Sequence, residues 1–420
     1  MKRVALICAV AVLGFSGNAF AQLVMQMGNG WSLGIGGNVN AFGVYTAGSV
    51  DTAGPPQAAG APRIAGGLVP EEQTARIRTG LLPAFFTAEI KGNEAGFDLS
   101  AFFGFAPQIN SNGAHDNFGA QIDMRQVYMT VGGKEWGSLL IGRQLGLYQR
   151  HNILTDLTLF GAGPTGGGVG TGGTTLGRIG FGYLYPNFNA QLTYTTPATL
   201  PVQLAVGLFD PSAIKGDNHT FGVTRSPRLE SELTFTQPLG EKNGSNTPVS
   251  TLLVWVGGTY QHASANLDAT GNPIAVDAGP SVDGIGGSAG AKLDIGGVSL
   301  VGSGYVGSGI GTTLMFDGTG AVDSNDKART SWGYVAQAAY AFPQTNFVLG
   351  GAWGESRLVA GDNDGNSNLV KANSAATASV QYNWTKSLKQ VLEGTYAQST
   401  AFSGAKNKSF QGALGLMLFF

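Results

Sequence analysis

Cysteine is all but missing from this 420-residue chain; the single one is Cys8. Charge is scarce too, at 12% of residues against a usual share of roughly 25%. No segment beyond the N-terminus runs to ~18 uninterrupted apolar residues, so no transmembrane helix is expected. Helical periodicity is hard to find anywhere. These absences remove a disulfide framework, a cysteine metal site, a helical membrane protein and, with a mildly acidic balance, a nucleic-acid binder. What is plentiful is glycine, at 67 residues, alongside an ordinary hydrophobic content of 43%. Low net charge with that much apolar surface also excludes disorder.

The first 21 residues read as a secretory signal. Lys2 and Arg3 form a basic start, Val4 to Phe15 an apolar stretch, and Ala19-Phe20-Ala21 a small-x-small cleavage site. Cleavage leaves residues 22–420 as the mature chain, removes Cys8 and takes the formal charge from −2 to −4, because residues 1–21 hold two bases and no acid. An exported chain without cysteines needs another source of cohesion.

Alternation with period 2 recurs along that mature chain. Trp31, Leu33, Ile35, Val39 and Ala41 share one face, opposite Ser32, Gly34, Gly36, Asn38 and Asn40. Val202, Leu204, Val206 and Leu208 oppose Gln203, Ala205 and Gly207. Trp332, Tyr334, Ala336, Ala338 and Tyr340 oppose Ser331, Gly333 and Gln337, and Ala378, Val380 and Tyr382 oppose Ser379, Gln381 and Asn383. The sequence closes the same way: Phe410, Leu414, Leu416, Leu418 and Phe420 share a greasy face, and the other is small or polar apart from Met417 and Phe419. A soluble sandwich would put Lys and Glu on its wet face. Gln, Asn, Ser and Gly there, with aromatics at strand ends, suit lipid outside and a polar interior.

Connections alternate in length. Short turns fall near 92–96, 132–135, 296–297 and 343–344, and long polar loops at 47–73, 109–117, 146–176, 211–227, 264–282, 307–329 and 355–371. Between them sixteen strands are expected, near 31–46, 74–91, 97–108, 118–132, 137–144, 179–197, 201–210, 228–237, 251–263, 283–294, 298–306, 330–342, 345–354, 372–383, 388–399 and 408–420. Pro83 and Pro186 disturb the pattern locally. The fold class is therefore all-β: a transmembrane antiparallel up-and-down β-barrel in the outer membrane, with both termini at the short-turn side. Hydrocarbon offers no hydrogen-bond partner, so the last strand must pair with the first.

The stretch Arg125 to Gln144, with Gly133, Trp136-Gly137 and Gly142-Arg143-Gln144, resembles a signature of general Gram-negative porins. Gly177 to Pro186 and Tyr194 to Pro197 resemble the strand after that family's third loop, and the signal segment and final Phe agree. The resemblance implies a homotrimer of sixteen-stranded barrels that passes ions and small hydrophilic solutes by diffusion, without cofactor, and a third loop, here 145–176, folded inward as a constriction. It implies a pore constriction in which Arg76, Arg78, Arg125, Arg143 and Arg178 on the flanking strands face the loop's carboxylate, with Arg150 on the loop itself. Arg125 and Arg143 are the strongest candidates to face the lumen, since alternation places Asp123 and Arg125 opposite Ile122, Met124 and Tyr128. Some of these arginines could instead lie near strand ends and anchor lipid headgroups. The loop departs from the family in holding one acid, Asp156, beside Arg150 and His151, which leads us to expect mild anion preference.

Other motifs carry less. Gly161-Ala-Gly163-Pro-Thr-Gly166 matches GxGxxG but lacks the strand, helix and later acid of a dinucleotide site. Asp362 to Asn368 resembles a calcium loop with its Gly two positions early and Asn373 where the bidentate Glu belongs. His115, His151, His219 and His262 have no metal spacing, and no nucleophile elbow or HExxH occurs. No enzyme is expected. The rival readings are a substrate-specific channel using the apolar 157–160 segment, and a surface binding protein using the long loops.

Overall fold

The computed structural model describes residues 23–50, 64–69, 73–107, 109, 122–164, 174–242, 248–268, 270, 272–275, 279–316 and 320–420. The expected signal segment 1–21, with Cys8, and His115 lie outside these residues. No described helix is long and apolar enough to cross a membrane.

Among the described residues sixteen antiparallel strands follow one another around a closed sheet. They are β1 Ser32–Val50, β2 (Gln73–Arg78 and Phe85–Glu94), β3 Phe97–Pro107, β4 Ile122–Gly133, β5 Gly137–Leu145, β6 Phe188–Thr195, β7 Val202–Phe209, β8 Arg228–Lys242, β9 Pro248–Asp268, β10 Ser281–Ile295, β11 Val298–Ser308, β12 Thr330–Ala341, β13 Phe347–Leu358, β14 Val370–Asn383, β15 Leu388–Ala401 and β16 Lys406–Phe419. The seam closes where β16 pairs with β1, from Asn38↔Phe419 to Val50↔Asn407. Phe420 finishes it by exchanging backbone hydrogen bonds with Gly37, at 2.8 and 3.1 Å. A short strand, Leu23–Gln26, continues that edge along Ser32–Ile35.

Side chains follow the expected alternation. Asn38, Asn40, Phe42, Val44 and Thr46 of β1 point inward and are buried, while Val39 and Tyr45 stay exposed. On β16, Phe410, Leu414, Leu416, Leu418 and Phe420 are all exposed to the outside. Met417 and Phe419 point inward and are buried, Phe419 meeting Phe160 edge-on at 6.0 Å between ring centres. An apolar pair on the inner face means that something apolar docks inside the barrel.

Three local expectations change. First, β2 is broken between its two pieces, where Gly80 to Ala84 leave the sheet. Pro83 lacks an N–H, and the freed groups find other partners. The Asn40 amide oxygen accepts from Gly80 N at 2.8 Å, and the Asn38 and Asn40 amides donate to Pro83 O and Leu82 O at 2.9 and 3.0 Å. Second, a β-bulge shifts the register between Gly104/Phe105 and β4, with Arg125 unpaired between Met124 and Gln126. The extra residue resets the phase. Tyr128 therefore faces inward, 5% exposed and stacked on Phe102 at 5.0 Å, rather than sharing Met124's outer face. Third, β6 begins at Phe188, not near 179. Residues 179–185 mimic a strand, but Ile179, Phe181, Tyr183 and Leu184 are buried irrespective of parity. They belong to the inward loop, whose described residues are therefore 146–164 and 174–187.

Candidate functional site: the inward loop and the channel

The loop enters the lumen after β5, forms a short helix, α1 (Arg150–Leu154), and a 3₁₀ turn, Leu157–Phe160. A peptide chain crossing a barrel interior must find partners for its own N–H and C=O groups. Here the wall supplies them. The Glu230 carboxylate on β8 accepts from Leu147 N and Tyr148 N at 2.8 and 3.0 Å. Its neighbour two residues on, Glu232, accepts from Arg150, pairing with its guanidinium, and from His151 Nδ1 at 2.7 Å. Trp255 Nε1 donates to Asn152 at 2.7 Å. The Gln337 side chain on β12 accepts from Leu157 N at 2.5 Å and donates to Thr155 O at 3.0 Å. Across the lumen, Glu393 on β15 accepts from Ala162 N and Gly163 N at 2.7 and 3.0 Å. A Cβ on Gly161 would fall on the Glu393 carboxylate, and Gly163 holds φ +66°, so both glycines are required where backbone and wall approach this closely. The break in β2 completes the dock, with Leu81 N and Leu82 N donating to Gly161 O and Leu159 O at 2.9 and 3.2 Å.

The loop thus lies against β8–β16 and β1, burying Leu159, Ala162, Ile179 and Tyr183 against Phe42, Val391, Met417 and Phe419. On its other side, between loop and the wall of β2–β5, a space of about 470 Å³ remains. Its wall side carries Thr87, Asp123, Arg125, Gln126 and Gln144; its loop side carries Leu154, Leu159, Leu176, Ile179 and Tyr185, with Arg150 at the edge. Arg125 Nε donates to Asp123 at 2.8 Å, and its guanidinium lies 5.8 Å from the centre of the Phe188 ring.

The expected constriction residues divide among several places. Arg125 and Arg150 line the space. Arg76 is exposed on the luminal face, paired across the sheet with inward Val44. Arg78 is buried and donates to Thr174 O at 2.9 Å. Arg178 is fully buried, its guanidinium donating to Ala375 O at 3.0 and 3.2 Å. Asp156 does not face the opening at all. Its carboxylate accepts from Tyr183 Oη at 2.6 Å, Thr158 N and Oγ1 at 2.9 Å each, and Arg178 N at 3.4 Å. Burial pushes this carboxyl above its ordinary value, while Arg178 and the donors pull it down. Arg178 and Asp156 are therefore internal braces of the loop. Arg143 lies outside the lumen: its cross-strand neighbours Val127 and Ala190 both face outward, and Arg143 is exposed with them. Gln144 is the residue of that pair that turns inward.

Sequence reasoning missed Glu230, Glu232 and Glu393. A signal existed, since the acids of Leu229-Glu-Ser-Glu-Leu233 alternate with leucines that face outward. The three described histidines pair with acids: His151 with Glu232, His219 with Asp326 and His262 with Asp283. Among the described residues no group of acids and histidines could hold a metal ion. The calcium-like segment is otherwise engaged, Asp362 pairing with Lys327 and Asp364 with Arg329.

A closed barrel with an apolar exterior, a polar inner wall and a loop docked inside defines an outer-membrane channel. The family model for Gram-negative porins matches residues 5–401, and the chain belongs to that family. It is an outer-membrane protein that forms a channel for small solutes. Among solved structures it is similar in fold to the outer membrane channel DcaP of Acinetobacter baumannii, at 12% identity over 94% of this chain and 99% of that one, with a TM-score of 0.67. It is also similar to the anion-selective porin of Comamonas acidovorans (11% identity, 93% and 100% covered, TM-score 0.58) and to Salmonella typhi OmpF in complex with daunomycin (14%, 95% and 100%, TM-score 0.54). A search of curated proteins finds no match.

Proposed function

We propose that the corridor between the inward loop and the β2–β5 wall is the narrow part of the channel, and that it passes small solutes with a mild preference for anions. The observation that carries this is the placement of the loop's one acid. Asp156 is sealed inside the loop, whereas Arg125 and Arg150 line the corridor, Arg125 beside Asp123 and Arg150 against the Glu232 carboxylate, which is buried behind it. Fixed charges beside a narrow passage act at low screening and sort permeant ions. One protein of similar fold is described as anion-selective, which is compatible with this reading. The test is a reversal potential across a salt gradient: the proposal expects the sign of anion selectivity, and clear cation selectivity would refute it.

A second reading, a channel with solute specificity, is favoured by the loop side of the corridor. Leu154, Leu159, Leu176 and Ile179 present an apolar surface opposite polar residues, which suits organic anions with an apolar body. Saturable block of the ion current by such a solute would support it. The porin resemblance also implies a homotrimer. Arg143 fits that assembly: it stands on the outer wall six residues above the β5 turn, where a charge facing lipid costs roughly 2–4 kcal/mol and a neighbouring subunit would cover it. The mature chain would begin at residue 22 after export. No catalytic role and no cofactor is proposed.

A further inference from the structure

Above its apolar band the outer wall of β13–β16 carries a polar notch that channel function does not use. Cross-strand register aligns two rungs there. Glu355, Ser374, Gln398 and Lys408 form one; Arg357, Ala372, Thr400 and Lys406 form the next. Lys371, at the register shift that starts β14, closes the notch, which encloses about 190 Å³. The cations are Arg357, Lys371, Lys406 and Lys408 against one acid, Glu355. Glu355 is engaged by Arg357, which also lies over the Trp332 ring at 5.5 Å. Lys371, Lys406 and Lys408 have no carboxylate partner among the described residues.

The level of the notch identifies what meets it. The next rung toward the short-turn side holds Trp353, Tyr396 and Phe410, with Trp353 Nε1 donating to Tyr334 Oη at 3.1 Å. Aromatic belts of this kind mark the headgroup boundary. The rung below that is small across all four strands: Gly351, Ala378, Gly394 and Gly412. It leaves a shallow trough across the lipid-facing wall. Directly beneath it lie Leu349, Val380, Leu392 and Leu414. Unbalanced cations, an aromatic rung and a trough therefore stack in the order of a phosphorylated headgroup above its acyl chains. Phosphate oxygens take charge-assisted hydrogen bonds from Arg and Lys.

We propose that this notch binds a phosphate of an anionic, acylated lipid of the outer leaflet, with an acyl chain lying in the Gly351–Gly412 trough. The probe is bisphosphorylated lipid A added to delipidated full-length protein in detergent, followed by native mass spectrometry. The triple variant Arg357→Gln/Lys371→Gln/Lys406→Gln is expected to bind about tenfold or more weakly, while Lys371→Arg/Lys406→Arg binds as the parent does. Dephosphorylated lipid A is expected to bind as weakly as the triple variant, and millimolar inorganic phosphate is expected not to displace the lipid. An unshifted heat-modifiable gel band confirms that each variant is folded. Equal lipid binding by parent and triple variant would overturn the site. Displacement by inorganic phosphate would make it a free-anion site, and dissociation of an oligomer in the triple variant would make it a subunit contact; either result overturns the lipid assignment.

Discussion

Two neighbouring residues, Asp123 and Arg125, set the charge of the corridor on its wall side. Being two apart, they share the luminal face, and they pair at 2.8 Å. The bulge at Arg125 then shifts the alternation by one residue, so that Gln126 lines the corridor as well. Neutralising either member should move selectivity in opposite directions. Arg125→Gln should shift the reversal potential toward cation preference, and Asp123→Asn further toward anion preference. Identical shifts from both would show that neither side chain faces the permeating ion. Away from the membrane, Arg329 is buried between Asp217 and Asp364, its Nε donating to Asp364 at 2.6 Å and its Nη2 to Asp217 at 2.5 Å. The hydrogen bond from Arg329 holds the Asp364 carboxyl below its ordinary value. A group with a depressed folded pKa stabilises above its unfolded pKa of about 3.9, and that stability is lost as pH falls through the lower folded value. Protease nicking of the loops around Arg329 should therefore rise only below about pH 4. Nicking that instead begins near neutral pH would contradict this assignment.

Elements differ in how legibly they were written. The strands could be read because a lipid-facing wall imposes a strict period of 2, and lipid tolerates few exceptions. β10 and β16 match the sequence reading to within two residues at each end. The inward loop could not be read this way, because its pattern is set by the wall it docks on. Ile179 to Tyr185 alternate like a strand yet are buried on both parities. Asp156 and Arg178 look like pore charges by residue type, but their environment makes them braces. Arg143 follows Gly142 on the parity of the outer wall, which strand counting without a register could not decide. The docking acids make the loop's position testable. Glu393→Ala removes the acceptor of two loop N–H groups, a loss of about 2 kcal/mol. Its single-channel trace should become noisy, with larger openings, whereas Glu393→Gln keeps an acceptor and should stay close to the parent. A quiet trace from Glu393→Ala would mean that the Glu230 and Glu232 contacts suffice to hold the loop.

As a whole molecule the protein is a hydrogen-bonded cylinder whose stability depends on an unbroken seam and an apolar outer band. Every strand pairs with its chain neighbours, and β16 returns to β1. Closure leaves no bare edge for hydrocarbon to face. Leu416, half exposed on the outer face of the seam, lies within the apolar band. Leu416→Arg should cost roughly 2–4 kcal/mol if it sits at the bilayer midplane, read as a lower denaturant midpoint for folding into vesicles. The same substitution at an inward position such as Thr395 would instead alter conductance. That contrast follows from the two-sided wall: one face solvated by lipid, the other by water and the docked loop.

The most direct test of the central claim is a single-channel recording of the full-length protein in a planar bilayer under a salt gradient. The account predicts discrete, ohmic conductance steps that reverse at a potential of anion-selective sign. A folded, inserted protein that passes no current would contradict it, because a closed wall without a conducting corridor would not be a channel.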